Sequence, residues 1–289
     1  MVRPLRIEFP GALYHVTSRG NRRQNIFLTD KDRQLFLSIL WQSFSTHNVH
    51  CYAYCLMDNH YHLLIETLEG NLSEVMRDVN SVYSRKFNKN HGQVGHVLQG
   101  RYKSFLIEKE AYLLKLIQYT VLNPVRASMV QSPDDWKWSS YTATRSGDVS
   151  NARLRVGDVL SYFDVDMHVA GEQYEQFVIA GIGEKSPFED IREGLVLGSE
   201  EFVEAYAVHD NIVHDADIVV AERLTGRPSL DELFDADDST AIRNEKIICA
   251  RNSCGYSVTD IAEHLNLHRT TVSKIVNDRA DATSHGLTP

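Results

Sequence analysis

The sequence predicts an α+β protein. A ferredoxin-like split βαβ domain with an antiparallel sheet comes first, followed by an all-α region that ends in a helix-turn-helix. Three observations predict this. Residues 1–147 alternate strand-like and helix-like hydrophobic periods in the order β-α-β-β-α-β-α. The charge then swings: 18 basic against 12 acidic residues in 1–147, 6 against 22 in 148–240, and 6 against 5 in 241–289. Helical periodicity returns from Asn211 and closes on two segments separated by Asn266.

Each element has a local reason. Ala12 to Ser18 is apolar and β-branched enough for a strand. Asp30 is placed to cap a helix from Lys31 to about Phe44, with Leu35, Phe36, Ile39, Leu40 and Trp41 on one face. Val49–Met57 and His60–Glu66 read as strands joined by the turn signal Asp58-Asn59. A helix from Leu72 to about Phe87 shows Leu72, Val75, Met76, Val79 and Tyr83 on one side, and 92–100 reads as a loop. Ser104–Lys109 reads as a short strand, and a helix from Glu110 should stop near Leu122 because Pro124 follows. Trp136, Trp138 and Tyr141 should close the domain. Further helices are expected at 173–180, 200–206, 212–224, 229–234 and 241–253. The expected organisation is a catalytic domain over 1–147 and an acidic, mostly helical connecting region over 148–210. A helical DNA-binding domain over 211–280 follows, with its helix-turn-helix at 257–277, and then a tail over 281–289.

Composition narrows the function. The net charge of -9 speaks against a polyanion partner, but residues 1–147 carry a basic surplus that reopens the question. Hydrophobic residues at 43% and charged residues at 24% suit a globular chain. No stretch approaches the roughly 18 apolar residues of a membrane helix, and Arg3, Pro4 and Arg6 before Glu8 do not resemble a signal peptide. A cytoplasmic protein without a membrane partner is expected. Cys51, Cys55, Cys249 and Cys254 should then be free thiols. Cys51 and Cys55, an even number apart on a strand, should share a face in the core.

The chemistry centres on His60-Tyr61-His62. Side chains alternate along a strand, so both imidazoles should share a face while Tyr61, Leu63 and Ile65 enter the core. Two imidazoles there make half a metal site, although an isolated His-x-His is also a common pair of structural histidines. A third contribution can come from Tyr119 and Asn123, four apart and so on one helical face. A phenol beside two histidines and an amide suggests phosphoryl transfer with a tyrosine nucleophile. A phenol titrates near 10 and needs a cation or base to react. The competing reading is that Tyr119 is one of 13 packing tyrosines.

The segments MDNHYHLLIE, QGRYKS and YTVLNPVRA together resemble the single-tyrosine HUH transposases, and within them the REP-associated tyrosine transposases found beside repeated extragenic palindromes in bacteria. The resemblance covers residues 1–145. It implies that His60 and His62 bind the metal with Asn123, that Tyr119 is the nucleophile, and that the metal is Mg²⁺ or Mn²⁺. It further implies cleavage of single-stranded hairpin DNA with a 5′-phosphotyrosine intermediate and a free 3′ hydroxyl. A monomer and a homodimer are both compatible with it.

Basic residues flank the proposed centre. Arg19, Arg22 and Arg23 follow the first strand, and Arg101, Tyr102 and Lys103 precede the fourth, a mixture suited to holding phosphates and stacking bases. Near the C-terminus, Ser257 can cap a helix carrying Val258, Ile261, Ala262 and Leu265, with a turn at Asn266. A second helix turns Val272, Ile275 and Val276 inward and His268, Arg269, Thr270, Thr271, Ser273 and Lys274 outward, as a duplex-binding recognition helix would. Residues 211–277 resemble the DNA-binding domain of the bacterial replication initiator, mainly over 257–276. The expected protein is a nucleoid-associated strand transferase. The alternatives are a non-catalytic transcriptional regulator and a replication-initiator or relaxase-like nickase.

Overall fold

The structure is a computed structural model that describes residues 7–188, 196–206, 230–235, 238–252, 256 and 258–284, with 232, 252 and 277–284 described by backbone alone. The helix expected over 212–224, the Ser257 cap, Cys254 and the end of the tail lie outside these residues. The chain forms two compact units, Met1–Ile212 and Val213–Pro289.

In the first unit β1 (Ala12–Arg19), β2 (Val49–Leu56), β3 (His60–Thr67) and β4 (Lys103–Ile107) form the antiparallel part of a sheet ordered β2-β3-β1-β4-β5. This is the split βαβ order. β5 (Val196–Leu197) adds a two-residue parallel strand beside β4, and no sequence signal announced it. α1 (Asp30–Thr46) and α2 (Leu72–His91) cover one face. There Tyr61 is fully buried, stacks 4.8 Å from Phe36 of α1 and donates its hydroxyl to Asn80 of α2 at 2.7 Å. Phe27, Tyr83 and Phe87 extend this aromatic core, and each such ring removed from water contributes about 1.5–3 kcal/mol.

Some boundaries differ from expectation. Thr29, not Asp30, caps α1: its hydroxyl accepts from the Asp32 amide, and the Asp32 carboxylate accepts from the Thr29 amide in return. Asp30 is instead the first helical residue and pairs with Lys137 at 2.7 Å. β4 begins and ends earlier than expected, because Glu108 leaves the strand to precede α3. α3 (Lys109–Arg126) runs through Pro124 and packs on β2 and β3, across the sheet from α1 and α2. The register shifts between Cys51 and Ala53. That bulge sets Cys51 opposite Ile65 and Cys55 opposite His62. The two cysteines therefore occupy opposite faces, contrary to simple alternation. Both are buried free thiols, and Cys249 is exposed.

After α3 the chain runs along the outer edge of β2. The Leu56 amide donates to Trp138 O, the Ser140 amide to Tyr54 O and the Cys51 amide to Arg153 O, at 2.8–2.9 Å. α4 (Tyr141–Arg145), α5 (Val156–Leu160) and α6 (Met167–Ala180) form a small helical layer that contacts α3. α7 (Glu200–Tyr206) follows β5. Trp136 and Trp138 stand over the guanidinium of buried Arg33 at 5.7 Å each.

The second unit has α8 (Leu230–Leu233), α9 (Thr240–Asn252), α10 (Val258–His264) and α11 (Arg269–Ser284) around Ile247, Ala250, Tyr256, Ile261, Ala262 and Val272. Asn266, at φ 51°, takes the left-handed turn between α10 and α11.

Candidate catalytic site

The candidate chemistry gathers on the sheet face that α3 covers. His60 pairs with Arg19 and His62 with Thr17 across β1 and β3, so both imidazoles lie on that face, with ring centroids 4.9 Å apart. The turn before β3 orients His60. The Asn59 side-chain amide donates to Arg23 O at 3.2 Å, which turns its oxygen toward His60 Nδ1 at 2.7 Å. That oxygen can only accept, so His60 carries its proton on Nδ1 and its lone pair on Nε2. Burial, with Arg19 nearby, lowers the His60 pKa to about 3. Burial, then His60, His15 and Arg19, holds His62 well below its usual value. Both rings are therefore neutral at neutral pH, the form that binds a metal.

His15, on β1, lies beside His62, with Nε2 3.2 Å from His62 Nδ1. It is 1% exposed, and burial lowers its pKa to about 3. The sequence reading did not single it out. The signal was present in the alternation of β1, where His15, Thr17 and Arg19 share one face. Seeing its meaning required the register that pairs Thr17 with His62.

α3 brings Tyr119 to the same place. Its ring meets His62 edge-on at 6.4 Å and His15 at 6.1 Å, and the Arg126 guanidinium sits 5.2 Å from the ring centre. Tyr119 is 4% exposed. Phe188, from the segment after α6, stacks edge-on against it at 5.2 Å and also lies 4.7 Å from His15. Lys115, Gln118, Arg126 and Lys185 line a shallow cleft beside the phenol. Phe188 and Lys185 escaped the sequence reading because they lie in a distant segment, whereas Arg126, seven residues after Tyr119 on α3, shares its face at helical spacing and was not singled out. Asn123, one turn after Tyr119, donates its side-chain nitrogen to Tyr119 O at 3.1 Å and Thr120 O at 3.3 Å. These acceptors fix the amide so that its oxygen turns away from the helix backbone.

The donor set suits a divalent cation. It offers two neutral imidazoles, one with its lone pair pinned to Nε2, and an amide oxygen turned off its helix. Among the described residues no three His, Cys, Asp or Glu side chains converge as a metal group.

The expected DNA contacts divide. Arg19 faces His60 across the strands, and Lys103, paired with Thr17, shares that face. Arg22 and Arg23 are exposed at φ 53° and 60°, consecutive left-handed residues in a turn pinned by Gly20 N to Asn59 O and Asn21 N to Val97 O. A Cβ at Gly20 would fall 1.9 Å from Gln24 O, so only glycine fits. Arg101 is exposed. Tyr102 is buried near Ser73 of α2, on the opposite face, and is not presented for base stacking. In the second unit His268, Arg269, Thr270, Thr271 and Lys274 are exposed and Val272 is buried, while Ser273 is only half-exposed.

Residues 9–121 match the family model described as IS200-like transposase. A Haemophilus influenzae protein named as a REP-associated tyrosine transposase is 27% identical over 142 residues, spanning 45% of this chain and 80% of that protein. Among solved structures, a REP-associated tyrosine transposase bound to a REP hairpin aligns with TM-score 0.43 and 19% identity, over 54% of this chain and 90% of that one. A transposase of Deinococcus radiodurans aligns with TM-score 0.31 and 16% identity, over 42% and 97%. No described helix is long and apolar enough to cross a membrane.

Proposed function

We propose that this chain, whose residues 9–121 match the model of the IS200-like transposases, is a metal-dependent single-strand DNA endonuclease and strand transferase acting at palindromic hairpins. Tyr119 is the nucleophile. The observation that carries the reading is the placement of the Tyr119 ring 6.4 Å from that of His62, on the face shared with His60. The name of the Haemophilus relative supports the palindrome as target.

Tyr119 loses its phenolic proton to solvent, its oxygen attacks the scissile phosphorus, the bond from phosphorus to the 3′ oxygen breaks, and the 3′ oxygen takes a proton from solvent to leave as a hydroxyl. The 5′ phosphate stays on Tyr119, which conserves the ester for rejoining. His60 Nε2, His62 and Asn123 Oδ1 would hold a Mg²⁺ or Mn²⁺, which would supply charge neutralisation at the phosphate oxygens. Arg126, against the phenol ring, and Lys115 and Lys185 in the adjoining cleft favour an approaching phosphate and a developing phenolate. Arg19, Arg22, Arg23, Arg101 and Lys103 track the strand beyond. The exposed face of α11, with His268, Arg269, Thr270, Thr271 and Lys274, adds duplex contact.

The test is a labelled single-stranded hairpin incubated with protein and Mn²⁺. A covalent adduct is expected in wild type and lost in Tyr119→Phe. Its persistence in that variant would overturn Tyr119 as the nucleophile, and its absence from wild type would overturn the reading in favour of a non-catalytic DNA-binding protein. Chelation should abolish the adduct but leave duplex binding by the second unit.

A further inference from the structure

We propose that His15 is a positioning residue that accepts the Nδ1–H of His62 and so keeps the lone pair of His62 on Nε2, the nitrogen offered to the metal. The inference rests on the metal-dependent reading above and adds a residue to it. The 3.2 Å contact between His62 Nδ1 and His15 Nε2 requires one ring to donate and the other to accept. If His15 donated, His62 would carry its proton on Nε2 and could not ligate through that atom. If His62 donates, its Nε2 lone pair matches that of His60, whose Nδ1–H is committed to Asn59. Both imidazoles then present the same nitrogen, one oriented by an amide and the other by a third imidazole. Ligating histidines generally donate their second N–H in this way.

The surroundings of His15 agree. Phe105 and Phe188 flank it at 6.2 Å and 4.7 Å, an apolar pocket in which its Nδ1 makes no hydrogen bond. An aliphatic or aromatic side chain would fill that space without leaving a polar atom unsatisfied. Only the bond to His62 gives an imidazole a reason to stand there. His15 is not itself a third ligand, because no three such side chains among the described residues group as a metal site.

The tautomers can be read directly. In full-length, metal-free protein with ¹⁵N-labelled histidine, the ring-nitrogen shifts of His62, assigned with His62→Gln, report which nitrogen carries the proton. Wild type is expected to show Nδ1–H. His15→Phe should move the proton toward Nε2 and weaken Mn²⁺ binding, measured by calorimetry, by roughly 10–100-fold. His15→Gln, whose side-chain oxygen can accept at the same place, should retain both. An Nε2–H tautomer in wild type overturns the proposal, and so does unchanged tautomer and Mn²⁺ affinity in His15→Phe. If His15→Phe does not fold, the wild-type tautomer and the Mn²⁺ affinity of His15→Gln decide. DNA cleavage enters none of these measurements, so a failed strand-transfer assay and a failed tautomer assignment are separate results.

Discussion

The side-chain amide of Asn123 donates to the carbonyl of Thr120, the acceptor that the nitrogen of Pro124, carrying no hydrogen, cannot serve. A proline that should end the helix is thereby accommodated inside it, and the amide is oriented by the repair. Asn123→Ala should therefore lower stability as well as metal affinity. An unsatisfied buried carbonyl costs about 1–3 kcal/mol, and each kcal/mol moves Tm by roughly 2–4 °C in a domain of this size. Calorimetry of the metal-free protein checks it, and an unchanged Tm means the bond contributes nothing. Asn123→Asp, which replaces the donor with an acceptor, should lose more.

Phe188 covers the phenol that the proposed chemistry needs. Tyr119 should consequently resist nitration by tetranitromethane in the folded protein. In Phe188→Ala nitration should be faster, alongside a loss of about 3–5 kcal/mol from truncating a buried ring. Peptide mapping after short exposure distinguishes Tyr119 from exposed Tyr162. Equal rates in the two proteins would mean that other groups shield the phenol.

Arg33 ties α1 to the turn that orients His60. Its guanidinium pairs with Asp58, two residues before His60, and lies among Phe27, Trp136 and Trp138. Arg33→Lys keeps the charge but loses the planar contact with the rings, and should cost about 1–3 kcal/mol, the half-exposed Asp58 limiting the loss. Urea denaturation measures it. A midpoint equal to wild type would show that the stacked geometry contributes nothing.

These relationships mark how far the sequence was legible. Alternation alone set His60 and His62 on one face, and the four-residue spacing aligned Tyr119 with Asn123. The helix end at Pro124 was misplaced because the usual rule omits a side chain able to replace the missing donor. The faces of Cys51 and Cys55 were misassigned because one extra residue in β2 inverts the alternation, and a bulge leaves no mark in composition. His15 became meaningful only with the β1–β3 register, and Phe188 only through a contact across distant segments.

Buried phenols should govern the alkaline limit. Burial raises Tyr14 and Tyr141 to about 12, and it raises Tyr52, Tyr61 and Tyr83 further, with Glu66 adding to the effect at Tyr52. A group whose folded pKa is raised contributes stability fully below its unfolded value, near 10, and loses that stability as pH climbs above it. Urea midpoints should therefore fall between pH 9.5 and pH 11.5, on the order of the interval set by those values. Phenolate absorbance from these residues should rise only as the fold is lost. Ionisation of all tyrosines with circular dichroism intact would refute this.

The short β5 and the stretch over 138–155 have a colloidal consequence. An open strand edge presents donors and acceptors on which another chain can grow a sheet. Here the edge at β4 is taken by Val196 and Leu197, and the edge at β2 by Trp138, Ser140, Arg153 and Arg155. The chain acts as its own edge guard. Cutting it after α3 would leave both flanks of the sheet bare, a template for fibrous self-association.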